Sequence, residues 1–152
     1  MFNVESILVP VDLTDPCVHT VEVARSLAET TDAELHLLHV ANTLEPPVVG
    51  FGSATIGAAP LSVLDAEQNT TEHLARFIRE HCPAFGGRLT TSVATGGVVP
   101  EVLKYAARHG IGLIVMGTRA RGLLSRLVRG SISESVLERA SCPVLFVPHR
   151  SN

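Results

Sequence analysis

The chain has 152 residues, enough for one domain, since two would need roughly 100 residues or more each. Apolar residues make up 45% and charged residues 18%, which supports a packed core and excludes disorder by composition. Twelve Lys and Arg against 15 Asp and Glu give a net charge of -3, and aromatics are only 4% with no Trp, which argues against a basic nucleic-acid binder or a base-stacking platform.

Ser6 to Asp12, SILVPVD, is an apolar run closed by a carboxylate and reads as a buried strand. Asp15-Pro16 reads as a helix start, with Asp15 as cap and Pro16 in the first turn. Cys17, Val21, Ala24 and Ala28 then share one helical face, with Glu22 and Arg25 off it. Glu34 to Ala41 is the second strand. Residues 46–64 carry no charge over 19 positions, but their prolines and glycines break any spanning helix, so 43–64 is expected to be a long mobile loop. Leu64 to Cys82 is the second helix, with Leu74, Phe77 and Ile78 as its stripe, and Arg88 to Thr95 alternates as the third strand. Pro100 to His109 is a third helix stopped by Gly110, and Ile111 to Gly117 is a buried fourth strand. Ser131 to Ala140 is a fourth helix packing Ile132, Val136 and Ala140, and Cys142 to Val147 is a fifth strand.

The order βαβαβαβαβ implies an α/β fold with a mostly parallel sheet covered on both faces. Residues 1–152 are expected to form a single domain. The N-terminus has no Lys or Arg before Arg25 and too short an apolar run for a signal peptide. No membrane insertion is expected. Cys17, Cys82 and Cys142 are too scattered for a metal site or a CxxC pair, which favours a reduced, cytoplasmic setting.

In an open parallel sheet, ligands bind at the carboxyl ends of the strands, where strand order reverses. The first strand ends in Val11-Asp12. The fourth leads into Met116-Gly117-Thr118-Arg119-Ala120-Arg121, and from Gly117 to Ser133 there are four arginines (Arg119, Arg121, Arg126, Arg129) and no acid. Gly130-Ser131 then opens the fourth helix. Glycines that admit close backbone approach, a helix N-terminus and arginines all favour phosphate. Ser131 with Glu134 also fits an ordinary capping box, and the arginines also fit a solvated face. Asp12 would repel phosphate but accept hydrogen bonds from an adenine amino group or a ribose hydroxyl; equally, it could simply close the strand. The two regions together suit opposite ends of one nucleotide. P-loop and dinucleotide fingerprints are absent.

These residues resemble the universal stress protein (UspA-like) family along nearly the whole chain: ILVPVD, ELHLLHV, GGVVPEVL and the long block LIVMGTRARGLLSRLVRGSISESVLERASCPVLFVP. The ATP-binding branch carries G-x2-G-x9-G-[ST]. Here the segment reads Gly117-x2-Ala120-x9-Gly130-Ser131, with the spacing kept and alanine at the second glycine. The resemblance implies a five-stranded parallel sheet in the order 3-2-1-4-5, of the universal stress protein or adenine nucleotide alpha hydrolase-like type. It implies ATP as ligand, with Mg²⁺ held through the phosphates. Asp12 and Val40 would hold the adenine and ribose side, lined by Pro10 and Val11 and completed by Thr14. Met116, Gly117, Arg119, Ala120, Arg121, Gly130, Ser131 and Ile132 would surround the ribose and phosphates. A homodimer through the last strand, 142–148, is also implied. If position 120 needs positive φ, alanine costs about 1 kcal/mol, which weakens binding more than it abolishes it. The branch that does not bind ATP tends to lose the whole Gly/Ser pattern, and this chain has not.

Seven histidines are scattered, and His36 and His39 fall on opposite faces of a strand. No catalytic set stands out, so the expectation is a regulatory nucleotide-binding protein with an unidentified partner and at most weak ATP hydrolysis. The alternatives are a dimeric interaction protein that does not use ATP and a slow ATP phosphohydrolase on the same scaffold.

Overall fold

Strand pairing follows the apolar runs closely. The computed structural model describes residues 4–13, 15–41, 63–118 and 131–148, and the side chains at 15, 16, 63–67 and 131 lie outside that description. Within it the elements run β1 (Ser6–Pro10), α1 (Asp15–Thr31), β2 (Glu34–Ala41), α2 (Val63–His81), β3 (Leu89–Thr95), α3 (Val98–Arg108), β4 (Leu113–Gly117), α4 (Ser131–Arg139) and β5 (Val144–Val147). The five strands form one sheet in the order β3-β2-β1-β4-β5. Every neighbouring pair is parallel. The alternating pattern and the sheet order are therefore as expected. The expected loop at 43–64 lies outside the described residues except for its last two positions, which open α2.

Each strand feeds two cores, because successive side chains point to opposite faces. Ile7, Val9, Leu35, Leu37 and Val115 join Cys17, Val21, Ala24 and Ala28 of α1 and Leu74 and Phe77 of α2. Leu8, Leu38, Ile114 and Met116 join Val102, Tyr105 and Ala106 of α3 and Val136 of α4. Ile7, Leu8, Leu35, Leu37, Leu38 and Ile114 are fully buried. Each such side chain contributes about 1.5–3 kcal/mol by burial.

Element ends depart from the sequence reading for identifiable physical reasons. β1 stops at Pro10, two residues early; Pro10 has no N–H, and Val11 makes one further bond, its N–H to the Leu38 carbonyl at 2.9 Å. β4 starts two residues late because Gly112 is engaged by Ser6: its N–H bonds the Ser6 carbonyl at 3.1 Å and lies 3.2 Å from Ser6 Oγ. α3 starts at Val98, not Pro100. Proline is harmless there, since the first helical N–H groups lack intrahelical partners in any case. α3 ends as expected: Gly110 adopts φ +59°, and the Ile111 N–H reaches back to the Ala106 carbonyl at 3.0 Å. Among the described residues, no helix is long and apolar enough to cross a membrane.

Candidate functional site: the parting of β1 and β4

The central strands separate toward their carboxyl ends. β1 pairs with β4 at only two positions, Ile7↔Leu113 and Leu8↔Ile114. On either side the ladders run further, to Pro10↔Leu38 in one direction and Gly117↔Val147 in the other. β1 connects onward to its neighbour β2, and β4 to β5, so strand order reverses between them. A crevice outside the carboxyl ends at such a reversal is the usual ligand position in this architecture.

The crevice rim can be followed residue by residue. Val11 is 4% exposed and belongs to the core on the α1 side. Its carbonyl accepts a hydrogen bond from His39 Nδ1 at 2.8 Å. Asp12 is half-buried. The Cys17 thiol hydrogen-bonds its carboxylate, and burial first, then the Asp12 charge and that bond, push the thiol up to about 12. Leu13 carries φ +63°, a left-handed conformation that a leucine adopts only when its surroundings hold it, and its side chain packs on the α1-side core. Pro10 is half-buried at the end of β1.

Met116, Val40 and Ile132 belong to the other core, on the α3 and α4 side, with Met116 buried and the other two partly so. Gly117 is half-buried at the end of β4, and the Thr118 N–H continues the ladder to the Val147 carbonyl at 3.1 Å. Thus Pro10, Val11, Asp12, Val40, Met116, Gly117 and Ile132 are described. Thr14, Arg119, Ala120, Arg121 and Gly130, with the side chain of Ser131, lie outside the described residues. The proposed capping bond of Ser131 falls there too.

Two features of the neighbourhood escaped the sequence reading of the site. The first is the start of α3. The Gly96 N–H bonds the Ala41 carbonyl at 3.0 Å, and Gly97 caps α3 with no side-chain hydrogen bond. Val98 and Val99 pack with Val40 in the same core, so this helix opens on the same rim; the doubled glycine of GGVVP was the available signal. The second is a polar cluster away from the rim. His36, 5% exposed, lies 3.0 Å through Nδ1 from the Tyr105 hydroxyl and 3.6 Å through Nε2 from Glu34. His39, by contrast, turns to the Val11 carbonyl on the α1 side, so the two histidines do occupy opposite faces.

Comparison with known proteins places this architecture. A sequence model of the universal stress protein family matches residues 3–148. Universal stress protein YxiE of Bacillus subtilis is 30% identical over 151 residues, covering 97% of this chain and 99% of that protein. Three solved structures share the fold at lower identity. The universal stress protein UspA from Lactobacillus plantarum has TM-score 0.70 and 24% identity, over 97% of this chain and 99% of that one. A universal stress protein in complex with cAMP has TM-score 0.66 and 18% identity, over 95% and 97%. An Arabidopsis thaliana family protein with AMP bound has TM-score 0.61 and 19% identity, over 96% and 93%. A match from the first strand to the last, carried on the same sheet order, leaves one assignment: the chain belongs to the universal stress protein family.

Proposed function

We propose that the chain binds an adenine nucleotide, ATP with Mg²⁺ on its phosphates, where the carboxyl ends of β1 and β4 part. Nucleotide occupancy then sets its conformation or its contacts with a regulatory partner in a cytoplasmic stress response. The observation that carries this reading is the two-position β1–β4 ladder, which parts the two strands at the strand-order reversal, the usual ligand position in this architecture. It is supported by the cAMP and AMP in two structural relatives.

The described residues fit an adenosine in their chemistry. Val40, Met116 and Ile132 supply apolar surface from one contiguous cluster. Asp12 supplies a carboxylate for the adenine amino group or a ribose hydroxyl, with Pro10, Val11 and Thr14 beside it in the chain. Gly117, Arg119, Ala120, Arg121, Gly130 and Ser131 supply backbone N–H groups, a hydroxyl and two guanidinium groups for phosphate. Bound Mg²⁺ would neutralise phosphate charge, and the protein's part is to bind and orient. In this reading the chain is a homodimer through 142–148, supported by the half-exposed Leu145 on the edge strand β5.

The test is the nucleotide content of protein purified without added nucleotide, followed by titration of ATP with Mg²⁺ into the stripped protein. Released adenine nucleotide or micromolar binding is the expected result. A folded protein that carries none and binds none would mean that Ala120 has disabled the pocket. The interaction-protein reading would then hold.

A further inference from the structure

A chain of polar side chains crosses the α3 side of β2 and β3 and takes no part in the nucleotide reading. Ser92 Oγ lies 3.5 Å from the Tyr105 hydroxyl, and that hydroxyl lies 3.0 Å from His36 Nδ1. His36 Nε2 faces Glu34 Oε1 at 3.6 Å, and Glu34 Oε1 accepts the Thr90 hydroxyl at 2.6 Å. Register explains the assembly. His36 pairs with Thr90 and Leu38 with Ser92, so these positions share one face of the sheet. Tyr105 on α3 and His109, the residue that caps its C-terminus, sit one turn apart, their rings stacked at 4.1 Å.

One end of this chain opens into a cleft of about 200 Å³ between β3 and α3, with Ser92, Tyr105, Lys104, Arg108, His109 and Glu101 on its wall. That is below the roughly 300–1,000 Å³ of clefts that enclose drug-sized ligands and suits a small ion or a small phosphorylated molecule. Two permanent cations face one carboxylate. Lys104 holds that carboxylate, Glu101, at 3.6 Å, while Arg108 has no ion-pair or hydrogen-bond partner among the described residues.

We propose that this cleft binds a tetrahedral dianion, phosphate either free or as a small phosphomonoester, with Arg108, Lys104, His109 and the Ser92 and Tyr105 hydroxyls as its donors. A guanidinium fork matches phosphate oxygens and outranks an ammonium in this role. The hydroxyls add donors that a carboxylate-lined cleft would lack. The Tyr105 hydroxyl also ties the site to a proton. While His36 is neutral and accepts at Nδ1, the Tyr105 hydrogen points to it. When His36 takes a proton from solvent, Nδ1–H donates to the Tyr105 oxygen, Nε2–H faces Glu34, and the Tyr105 hydrogen is released toward the cleft. Glu34 on β2, Thr90 on β3, Tyr105 on α3 and His109 at its C-cap face His36; Arg88, Glu5 and Asp32 line the cleft of about 780 Å³ that it shares below. Burial and His109 disfavour the charged imidazole and Glu34 favours it, with a net lowering. A bound dianion offsets that lowering, so binding takes up a proton and strengthens toward acid.

Sulfate, whose charge is constant through this range, separates the protein's proton from the ligand's. NMR titration of the full chain with sulfate at about pH 6 and about pH 8 should shift Arg108 and His109 saturably, with affinity rising by up to about tenfold per pH unit on acidification. Arg108→Gln, on the exposed side of α3, should abolish those shifts, and Gly130→Val should leave them. Tyr105→Phe should weaken binding most at about pH 6, where the Tyr105 hydrogen would otherwise be released toward the cleft, and so reduce its pH dependence. Comparing inorganic phosphate with glycerol phosphate then assigns the free ion or the monoester by which binds more tightly. No saturable shift at Arg108 and His109, or shifts confined to residues 117–132, would overturn the site. Equal sulfate affinity at both pH values would overturn the proton link.

Discussion

Single residues decide two separate matters, backbone strain and ligand choice. Gly110 ends α3 at φ +59°, and a Cβ built there meets nothing within 4 Å. Gly110→Ala therefore tests left-handed strain alone, with an expected loss of about 1 kcal/mol and a Tm lower by roughly 2–4 °C. Thermal melts of the two proteins check this; an unchanged Tm would show that the turn relaxes. Asp12 bears on the ligand instead. It is half-buried and bonded by the Cys17 thiol, which fixes a carboxylate at the crevice rim. An acceptor of this kind recognises the base or sugar and repels phosphates. Asp12→Ala should therefore weaken discrimination between ATP and other nucleoside triphosphates more than it weakens triphosphate binding itself. Competition titrations read the difference, and equal losses for every triphosphate would remove Asp12 from that role.

At the scale of elements, what was legible in the sequence was whatever depends on local pattern. Near-continuous apolar runs located β1 and β4, and β2 was read with both ends in place, Glu34 and Ala41. Errors sit where a distant partner sets the boundary, as with Ser6 holding Gly112 out of β4. The candidate crevice divides in the same way. The carboxylate after β1 and the Gly/Arg segment after β4 are visible as sequence, whereas the short β1–β4 ladder is a property of pairing. The Ser92–Tyr105–His36–Glu34 chain was out of reach because it needs the β2–β3 register and the docking of α3 together. One element-level prediction follows from the segment that opens α4. If backbone N–H groups at Gly130-Ser131 cradle phosphate, Gly130→Val should reduce ATP affinity by tenfold or more, because a branched Cβ obstructs close approach. Calorimetric titration checks it, with circular dichroism to establish folding. Unchanged affinity in the folded variant would remove the phosphate loop from the site.

The whole molecule should show a stability plateau bounded on both sides by groups buried in their neutral forms. His36 ordinarily titrates at 6.5 and is held lower, chiefly by burial. Below that pH the unfolded chain binds a proton that the folded chain resists, so stability falls as pH drops. Glu34, held below its ordinary 4.5 chiefly by the Thr90 hydrogen bond, adds its own loss at lower pH, where its carboxylate must be protonated. The alkaline side is governed by thiols. Cys17 is pushed from 9.0 to about 12, and burial raises Cys82 and Cys142 as well. Above about pH 9 the unfolded chain releases protons that the folded chain retains, which lowers stability with a slope approaching about 1.4 kcal/mol per pH unit from Cys17 alone. Urea midpoints should thus be flat between roughly pH 7 and 9 and fall in both directions. His36→Gln keeps a side-chain partner for the Tyr105 hydroxyl but cannot titrate, so it should flatten the limb between about pH 6.5 and 4.5 and leave the alkaline limb in place. Cys17→Ala should do the reverse, making the alkaline limb shallower. An acid limb unchanged between about pH 6.5 and 4.5 in His36→Gln would mean that the buried imidazole does not govern it, since the Glu34 carboxylate, held below its ordinary 4.5, adds its loss only at lower pH.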